Sequence, residues 1–281
     1  MTLPIKNRRS RLSLSVKGLA VSVVLISGLG IQGAEYDNGA RPQISIIIDD
    51  MGYGLHEGRE AIALPGPLAY SILPFSPNGN ELALEASRKG KEVLLHMPMQ
   101  STNDDHLLEP SALTIEMSHT QFVDALQRAM MSVPLATGIN NHMGSLLTRH
   151  PGPMQWLIET IREHGYFFVD SRTTPYTVAA DIARRNHVPN LTRDVFLDNV
   201  QDVTHINAQF ERLVALAKQQ GTALAIAHPH PKTIAVLSRV LPSLSDYGVH
   251  LVSLREMIAY RTRSDTEWQL SLSRSQMDAK N

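Results

Sequence analysis

The stretch Ile44-Ser45-Ile46-Ile47-Ile48-Asp49-Asp50-Met51-Gly52 restricts the fold of this chain more than any other. Its apolar part is long enough for a strand and too short for a helix. Its β-branched content is that of a parallel strand covered on both faces. Two carboxylates follow where the run stops, and then Gly52 and Gly54. In a parallel α/β barrel or sheet this is the catalytic end of a strand. Side chains alternate along an extended segment, so Asp49 and Asp50 are expected to point in different directions. Neighbouring carboxylates in different surroundings can divide the work, one as metal ligand and one as general base. Taken alone, the pair is equally well explained as a helix N-cap or a turn.

From Gln43 onward, short apolar runs alternate with amphipathic stretches. Strands are predicted over 44–48, 68–73, 92–95, 137–140, 166–169, 195–197, 223–227 and 250–254. Helices are predicted from Ser118, which has capping-box spacing to Gln121, and over 154–164, 204–219 and 232–240, with Gly221 as the stop of the third. This alternation means a mostly parallel sheet, open or closed into a barrel.

The N-terminus has a different character. Lys6, Arg8, Arg9 and Arg11 are followed by an apolar, uncharged stretch from Leu19 to Ile31 and by the small residues Gly33 and Ala34. This is the layout of a secretory signal peptide, and the apolar stretch is short for a membrane-spanning helix of roughly 20 residues. Residues 1–34 are therefore expected to be a signal peptide, 35–42 a linker, 43–261 the folded domain and 262–281 a polar tail. The expected location is the periplasm or the exterior, with only transient membrane contact through the signal. Five of the 26 Lys and Arg residues and none of the 27 acidic ones lie in 1–34, so a chain cleaved there carries 21 basic against 27 acidic residues, a net charge of −6. Without a basic patch, nucleic acid is not an expected partner. The chain has no cysteine, which excludes disulfides, thiolate metal sites and a cysteine nucleophile. Its 12 histidines all follow residue 34 and are an ample supply of metal ligands and acid–base groups.

The predicted strand ends carry most of this chemistry. The first ends in Asp49-Asp50, the third in His96, the fourth in Asn140-Asn141-His142-Met143-Gly144-Ser145, the fifth in Asp170-Ser171-Arg172, the sixth in Asp198 and the seventh in His228-Pro229-His230. Six strands that deliver an Asp or His at one end describe a metal-hydrolase pocket. Each residue also has a plainer reading. His96 and His142 can be buried histidines donating to backbone carbonyls, and Asp170 can cap the following turn. Asp198 reads better as a cap than as a catalyst. One Asp and two His form a common facial set for a divalent ion, and Asp50, His96 and His142 fit it, with zinc the first choice among first-row ions.

The ordered motifs DDMG, LLHMPM, GINNHMGS, FVDSRTT and IAHPH resemble the divergent polysaccharide deacetylases, relatives of the NodB-type carbohydrate esterases, over roughly residues 42–260. The resemblance implies a distorted, incompletely closed (β/α) barrel with its site at the strand C-terminal ends. It makes Asp49 the base, Asp50 a metal ligand, His228 the general acid and Asp170 the residue that tunes it. In the ordinary family a second metal-binding histidine stands four residues after the first. Here that position is Gln100, and His142 is expected to supply the missing ligand. The ordinary third motif carries Arg-x-Pro-Tyr. Both the Arg and the Tyr are absent, which leaves the orientation of the base and one oxyanion contact unassigned. Asn141, Ser145 and Arg172 are expected to touch substrate.

The implied activity is metal-dependent removal of acetyl groups from a carbohydrate, such as an envelope polymer. Two alternatives stand beside it: a carbohydrate- or partner-binding protein that kept the pocket without the chemistry, and a hydrolase of another substrate class on the same barrel. The low aromatic content, 5%, favours a short or small substrate over a long stacking groove.

Overall fold

The computed structural model describes residues 41–102 and 111–264. The expected signal peptide, most of the linker and the tail beyond 264 lie outside the described residues.

Among the described residues, nine strands form one parallel sheet: β1 (Gln43–Met51), β2 (Ala69–Ile72), β3 (Glu92–Met99), β4 (Gly138–Met143), β5 (Phe167–Asp170), β6 (Asn190–Thr192), β7 (Val195–Phe196), β8 (Thr222–Ala227) and β9 (His250–Leu251). Their spatial order is β6-β5-β4-β3-β2-β1-β8-β7, with β9 paired to the start of β1. The sheet curls until its edges almost meet. The Arg193 N–H donates to Asp170 O at 3.0 Å, and the next residue, Asp194, donates to Leu224 O at 2.9 Å. One step of the chain thus crosses from the β5 side to the β8 side, while β6 and β7 remain unpaired with each other. The result is an incompletely closed barrel, bridged between β6 and β7 by a single chain segment.

Among the described residues, these strands are connected by helices α1 (Leu55–Ile62), α2 (Gly79–Arg88), α3 (His119–Ser132), α4 (Pro151–Glu163), α5 (Ala179–Arg185), α6 (Val203–Gln220) and α7 (Pro231–Val240), and a further helix, α8, runs over 254–264. The capping box at Ser118 forms: its hydroxyl accepts from Gln121 N, and Gln121 Oε1 accepts from Ser118 N. Asp202 caps α6 through Thr204 N and His205 N, and Gly221, at φ 84°, ends it.

Alternation along β1 builds two apolar layers. Ile44, Ile46 and Ile48 pack in the cluster that includes the helices' apolar residues. Ile47 faces the other way and packs with Ala69, Leu94, Val169, Leu224 and Ile226 inside the barrel. Burying an Ile or Leu side chain contributes about 1.5–3 kcal/mol before entropy is counted, so β1 stabilises both layers. Leu254 and Met257 of α8 join the inner layer. Glu92, at the start of β3, accepts from Leu254 N at 2.7 Å, which places α8 at the N-terminal end of the barrel. The inner core is therefore apolar at that end and polar at the opposite one.

β6, α1, α2, α5 and α8 are additions to the predicted elements. The predicted strand 250–254 is only two residues long, because α8 begins at 254.

Candidate active site

The inward-facing positions of successive strands turn from apolar to polar at the C-terminal end. Ile47 is followed two residues later by Asp49, Leu94 by His96, Val169 by Ser171, and Ile226 by His228. On β4 the corresponding residues are Asn140 and His142. The polar residues of this set other than Asn140 line a cavity of about 350 Å³, together with Asp50 and Arg193.

Asp50 breaks the alternation. The register of β1 against β2 shifts between Ile48 and Met51, and Asp50 has φ 55°. That left-handed residue turns the Asp50 carboxylate into the same pocket as Asp49, so the expectation that the two point apart is corrected. Met143 and Arg172 also line the pocket at positive φ, both 53°. Three strand ends thus place a non-glycine residue in a conformation that costs about 1–3 kcal/mol, a pattern typical of functional sites.

Asp50 Oδ1, His96 Nε2 and His142 Nδ1 form a small triangle. Its edges are 3.1 Å (Asp50–His96), 2.9 Å (Asp50–His142) and 3.2 Å (His96–His142). Ligands ~2.1 Å from a common ion and 90–110° apart lie ~3.0–3.4 Å from one another, so the triangle has the dimensions of one face of a coordination shell. Asp50 Oδ1 is buried and faces both imidazole nitrogens at these distances, as a carboxylate oxygen sharing one ion with them would. Two imidazoles and a carboxylate suit zinc and its first-row neighbours.

The neighbouring carboxylates have opposite electrostatics. Burial raises Asp50, but His142 and His96 outweigh it and hold its carboxyl well below the usual range. Burial dominates at Asp49 and raises its pKa despite His96 and His228. Asp50 is therefore held as the anion while Asp49 takes up a proton more readily, a contrast of the kind that separates a ligand from a base. At His96, burial opposes the charged form, yet Asp49 and Asp50 raise its pKa to about 9.

His228 Nε2 lies 3.6 Å from Asp50 Oδ2, across the pocket from the β3 and β4 histidines. Its partner is Asp198, not Asp170. The His228 Nδ1–H donates to Asp198 Oδ1 at 2.9 Å, and His228 N and Thr233 Oγ1 both donate to Asp198 Oδ2 at 2.8 Å. Burial works against protonation of His228, but Asp198 and the pocket carboxylates raise its pKa. Asp170 serves as a turn cap: its oxygens accept from Arg172 N at 2.8 Å and Thr177 Oγ1 at 2.9 Å. The expectation that Asp170 tunes His228 is corrected on this geometry. The β5 alternation explains it, since Val169 and Ser171 face inward and Asp170 between them faces out.

The expected substrate contacts divide. Arg172 and Asn141 line the cavity. Asn141 also ties two strand ends together, donating to Met143 O at 2.7 Å and accepting from Ser171 N at 2.9 Å. Ser145 is not among the residues lining the cavity, and its hydroxyl accepts from Thr102 N at 2.9 Å. Gln100 accepts from Ile115 N at 2.9 Å and donates to Glu116, and contributes nothing to the ligand triangle.

Sequence reasoning missed Asn140, Arg193 and Phe196. Arg193 donates to Ser171 O at 2.6 Å and Arg172 O at 2.9 Å, and its guanidinium covers the Phe196 ring at 5.1 Å. Asn140 was legible as a strand-end polar residue, but only its partners, His96 and Asp49, distinguish it from Asn141.

Comparison with known proteins agrees with this architecture. The model of the divergent polysaccharide deacetylase family matches residues 46–258. The uncharacterized protein YibQ of Escherichia coli K12 is 37% identical over 202 residues, covering 72% of this chain and 63% of the relative, so the chain matches less than two thirds of that protein's length. An uncharacterized protein of Agrobacterium tumefaciens C58 superposes with a TM-score of 0.75 at 20% identity, over 79% of this chain and 91% of that one. A CE4 family pseudoenzyme of Bacillus anthracis superposes with a TM-score of 0.51 at 11% identity, over 78% of this chain and 66% of that one. The structural likenesses are likenesses of fold, the incompletely closed (β/α) barrel of the deacetylases. With its family model matched across most of its length, the chain belongs to the divergent polysaccharide deacetylase family.

Proposed function

We propose that the chain is an exported, divalent-metal-dependent hydrolase that removes acetyl groups from an N- or O-acetylated carbohydrate. The observation that carries this reading is the triangle of Asp50, His96 and His142, with Asp49 beside it and His228 across the pocket. Export is supported by the basic start and apolar stretch of residues 6–34. Asp50, His96 and His142 would hold the ion, which when bound supplies Lewis acidity and lowers the pKa of water. Asp49, with its raised pKa, accepts the proton of the attacking water. His228, whose protonated form Asp198 stabilises, donates a proton to the departing amine or alcohol. Each of these proton transfers is typically worth about 10²–10⁴-fold in rate.

The position of Gln100, turned away from the pocket, favours a second reading in which the fold binds a carbohydrate or a partner without turnover. Metal content separates the two. The full chain, purified without chelator, is expected to carry about one first-row metal ion, absent from His96→Ala and Asp50→Ala, and to hydrolyse at least one acetylated oligosaccharide. Failure to take up zinc would overturn the hydrolase reading. Zinc uptake without hydrolysis of any acetylated sugar would favour the binding protein.

A further inference from the structure

We propose that Asn140 is a positioning residue that joins the base Asp49 to the metal ligand His96. The roles of its two partners rest on the hydrolase reading above. The contacts themselves do not.

Asn140 is fully buried on β4, and its amide is committed at both ends. Oδ1 accepts from the His96 Nδ1–H at 2.8 Å and from the Ser71 hydroxyl. Nδ2 donates to Asp49 Oδ1 at 2.8 Å and Oδ2 at 3.0 Å, with a longer contact to Ser171 Oγ at 3.3 Å. A side-chain amide offers one acceptor oxygen and two N–H donors, and all three are used. The arrangement works in one orientation only. Turned over, the amide oxygen would face the Asp49 carboxylate and its N–H groups would face the proton on His96 Nδ1. An unmatched polar group at this depth is strongly disfavoured, and more so beside a charge.

Two consequences follow for the site. With its proton held on Nδ1, His96 presents Nε2 to Asp50 Oδ1 and His142 Nδ1, the nitrogen a ligand needs. With both oxygens facing the Asn140 amide, the Asp49 carboxylate stays beside the ligand triangle without entering it. Its Oδ2 is 3.7 Å from His96 Nε2, against 3.1 Å for Asp50 Oδ1. Arg193, which also lines the pocket, holds the turn at Ser171 and Arg172 instead. One amide therefore sets the ligating nitrogen and the direction of the base together.

Two variants of nearly the same size separate positioning from simple stability. Asn140→Asp keeps an acceptor for His96 and Ser71 and loses the donor to Asp49. Asn140→Leu loses both. Zinc titrated calorimetrically into the full chain is expected to bind Asn140→Leu about 10–100-fold more weakly than wild type, the usual effect of losing a partner behind a metal ligand. Asn140→Asp is expected to stay within about tenfold of wild type, since the His96 acceptor remains. Ring ¹⁵N shifts of His96 should show Nε2 ligated and Nδ1 protonated in the zinc-loaded wild type. Without metal, a slowly exchanging downfield Nδ1–H proton of His96 is expected in wild type and Asn140→Asp and not in Asn140→Leu. Equal zinc affinity in all three proteins, or an equal loss in both variants that follows their melting temperatures, overturns the proposal. So does absence of the protected Nδ1–H from wild type, whether or not zinc binds. Failure of wild type to bind zinc, with the protected proton present, overturns the hydrolase reading and leaves the positioning role standing.

Discussion

Asp198 holds His228 twice, with Oδ1 at 2.9 Å from the ring Nδ1 and Oδ2 at 2.8 Å from the same residue's backbone N–H. The two residues come from neighbouring strand ends, because β7 pairs with β8 through Val195–Ala225 and Phe196–Ile226. The carboxylate fixes the ring so that Nε2 faces the pocket, and it favours the imidazolium. Asp198→Asn should therefore lower the His228 pKa. A general acid works below its pKa, so the alkaline limb of the rate profile should move to lower pH. Turnover at neutral pH should fall by about 10²–10⁴-fold while zinc content stays unchanged. A pH–rate profile of the variant on an acetylated oligosaccharide checks this, and an unmoved alkaline limb would count against the pairing.

Asp49 and Asp50 give a second contrast, since the proposed function assigns these neighbouring carboxylates different tasks. Asp49→Asn removes the proton acceptor and leaves the triangle of Asp50, His96 and His142 intact. Its expected phenotype is about one zinc per chain with turnover down about 10²–10⁴-fold. Asp50→Asn and His142→Ala should lose metal and turnover together. Metal analysis beside single-turnover rates distinguishes the two classes, and loss of zinc from Asp49→Asn would mean that it is a ligand.

The raised pKa of His96, about 9, sets the pH dependence of metal uptake. Below that pH the ion must displace a proton from the ring, so zinc affinity should rise about tenfold per pH unit between ~6.5 and 9 and level off above. The linkage for metal-free protein has the opposite sense. A histidine whose folded pKa exceeds its unfolded value of ~6.5 adds stability that is complete below ~6.5 and lost as pH climbs towards 9. Thermal melts of the chelated protein should therefore drop across that window, and His96→Gln should flatten the drop. Calorimetric titrations at three pH values test the affinity slope.

Much of the fold was legible because parallel strands announce themselves as short β-branched runs. The runs at 44–48 and 223–227 became β1 and β8, each within a few residues of the prediction. β6 was missed because Asn-Leu-Thr is too short and too polar to show a period. α2 was missed because Ala83 and Ala86, on its buried face, give a weak apolar signal. At the site, the ligand candidates were readable as Asp and His at strand ends. The pairing of His228 was not, because it depends on which way a strand-end carboxylate faces. Asp170 and Asp198 look alike in sequence. Val169 and Ser171 take the inward positions of β5, whereas Asp198 follows a two-residue strand with no alternation to read. The turn at Asp50 was equally hidden, since nothing in the residue type announces a φ of 55°.

The inner core offers a test that leaves the chemistry alone. Gly138 starts β4, four residues before His142, at the end of the strand away from the pocket. A Cβ built there would approach three atoms of the Phe167 ring at 2.6–2.7 Å, well inside contact distance. Phe167 cannot swing away freely, because it packs inside the barrel and the Arg255 guanidinium covers its ring at 5.6 Å. Gly138→Ala should therefore overpack the core and cost about 1–3 kcal/mol. At ~2–4 °C per kcal/mol for a domain of this size, the melting temperature should fall by roughly 2–12 °C. Zinc stoichiometry should remain one per chain, because β3 and β4 stay paired in register from Leu95–Ile139 to Met99–Met143 and hold His96 and His142 together. The double variant Gly138→Ala with Phe167→Leu should recover part of the loss by making room for the methyl group. If Gly138→Ala lost zinc at a temperature where it was still folded, the metal ligands would depend on the packing of the barrel floor as well as on the strand ends.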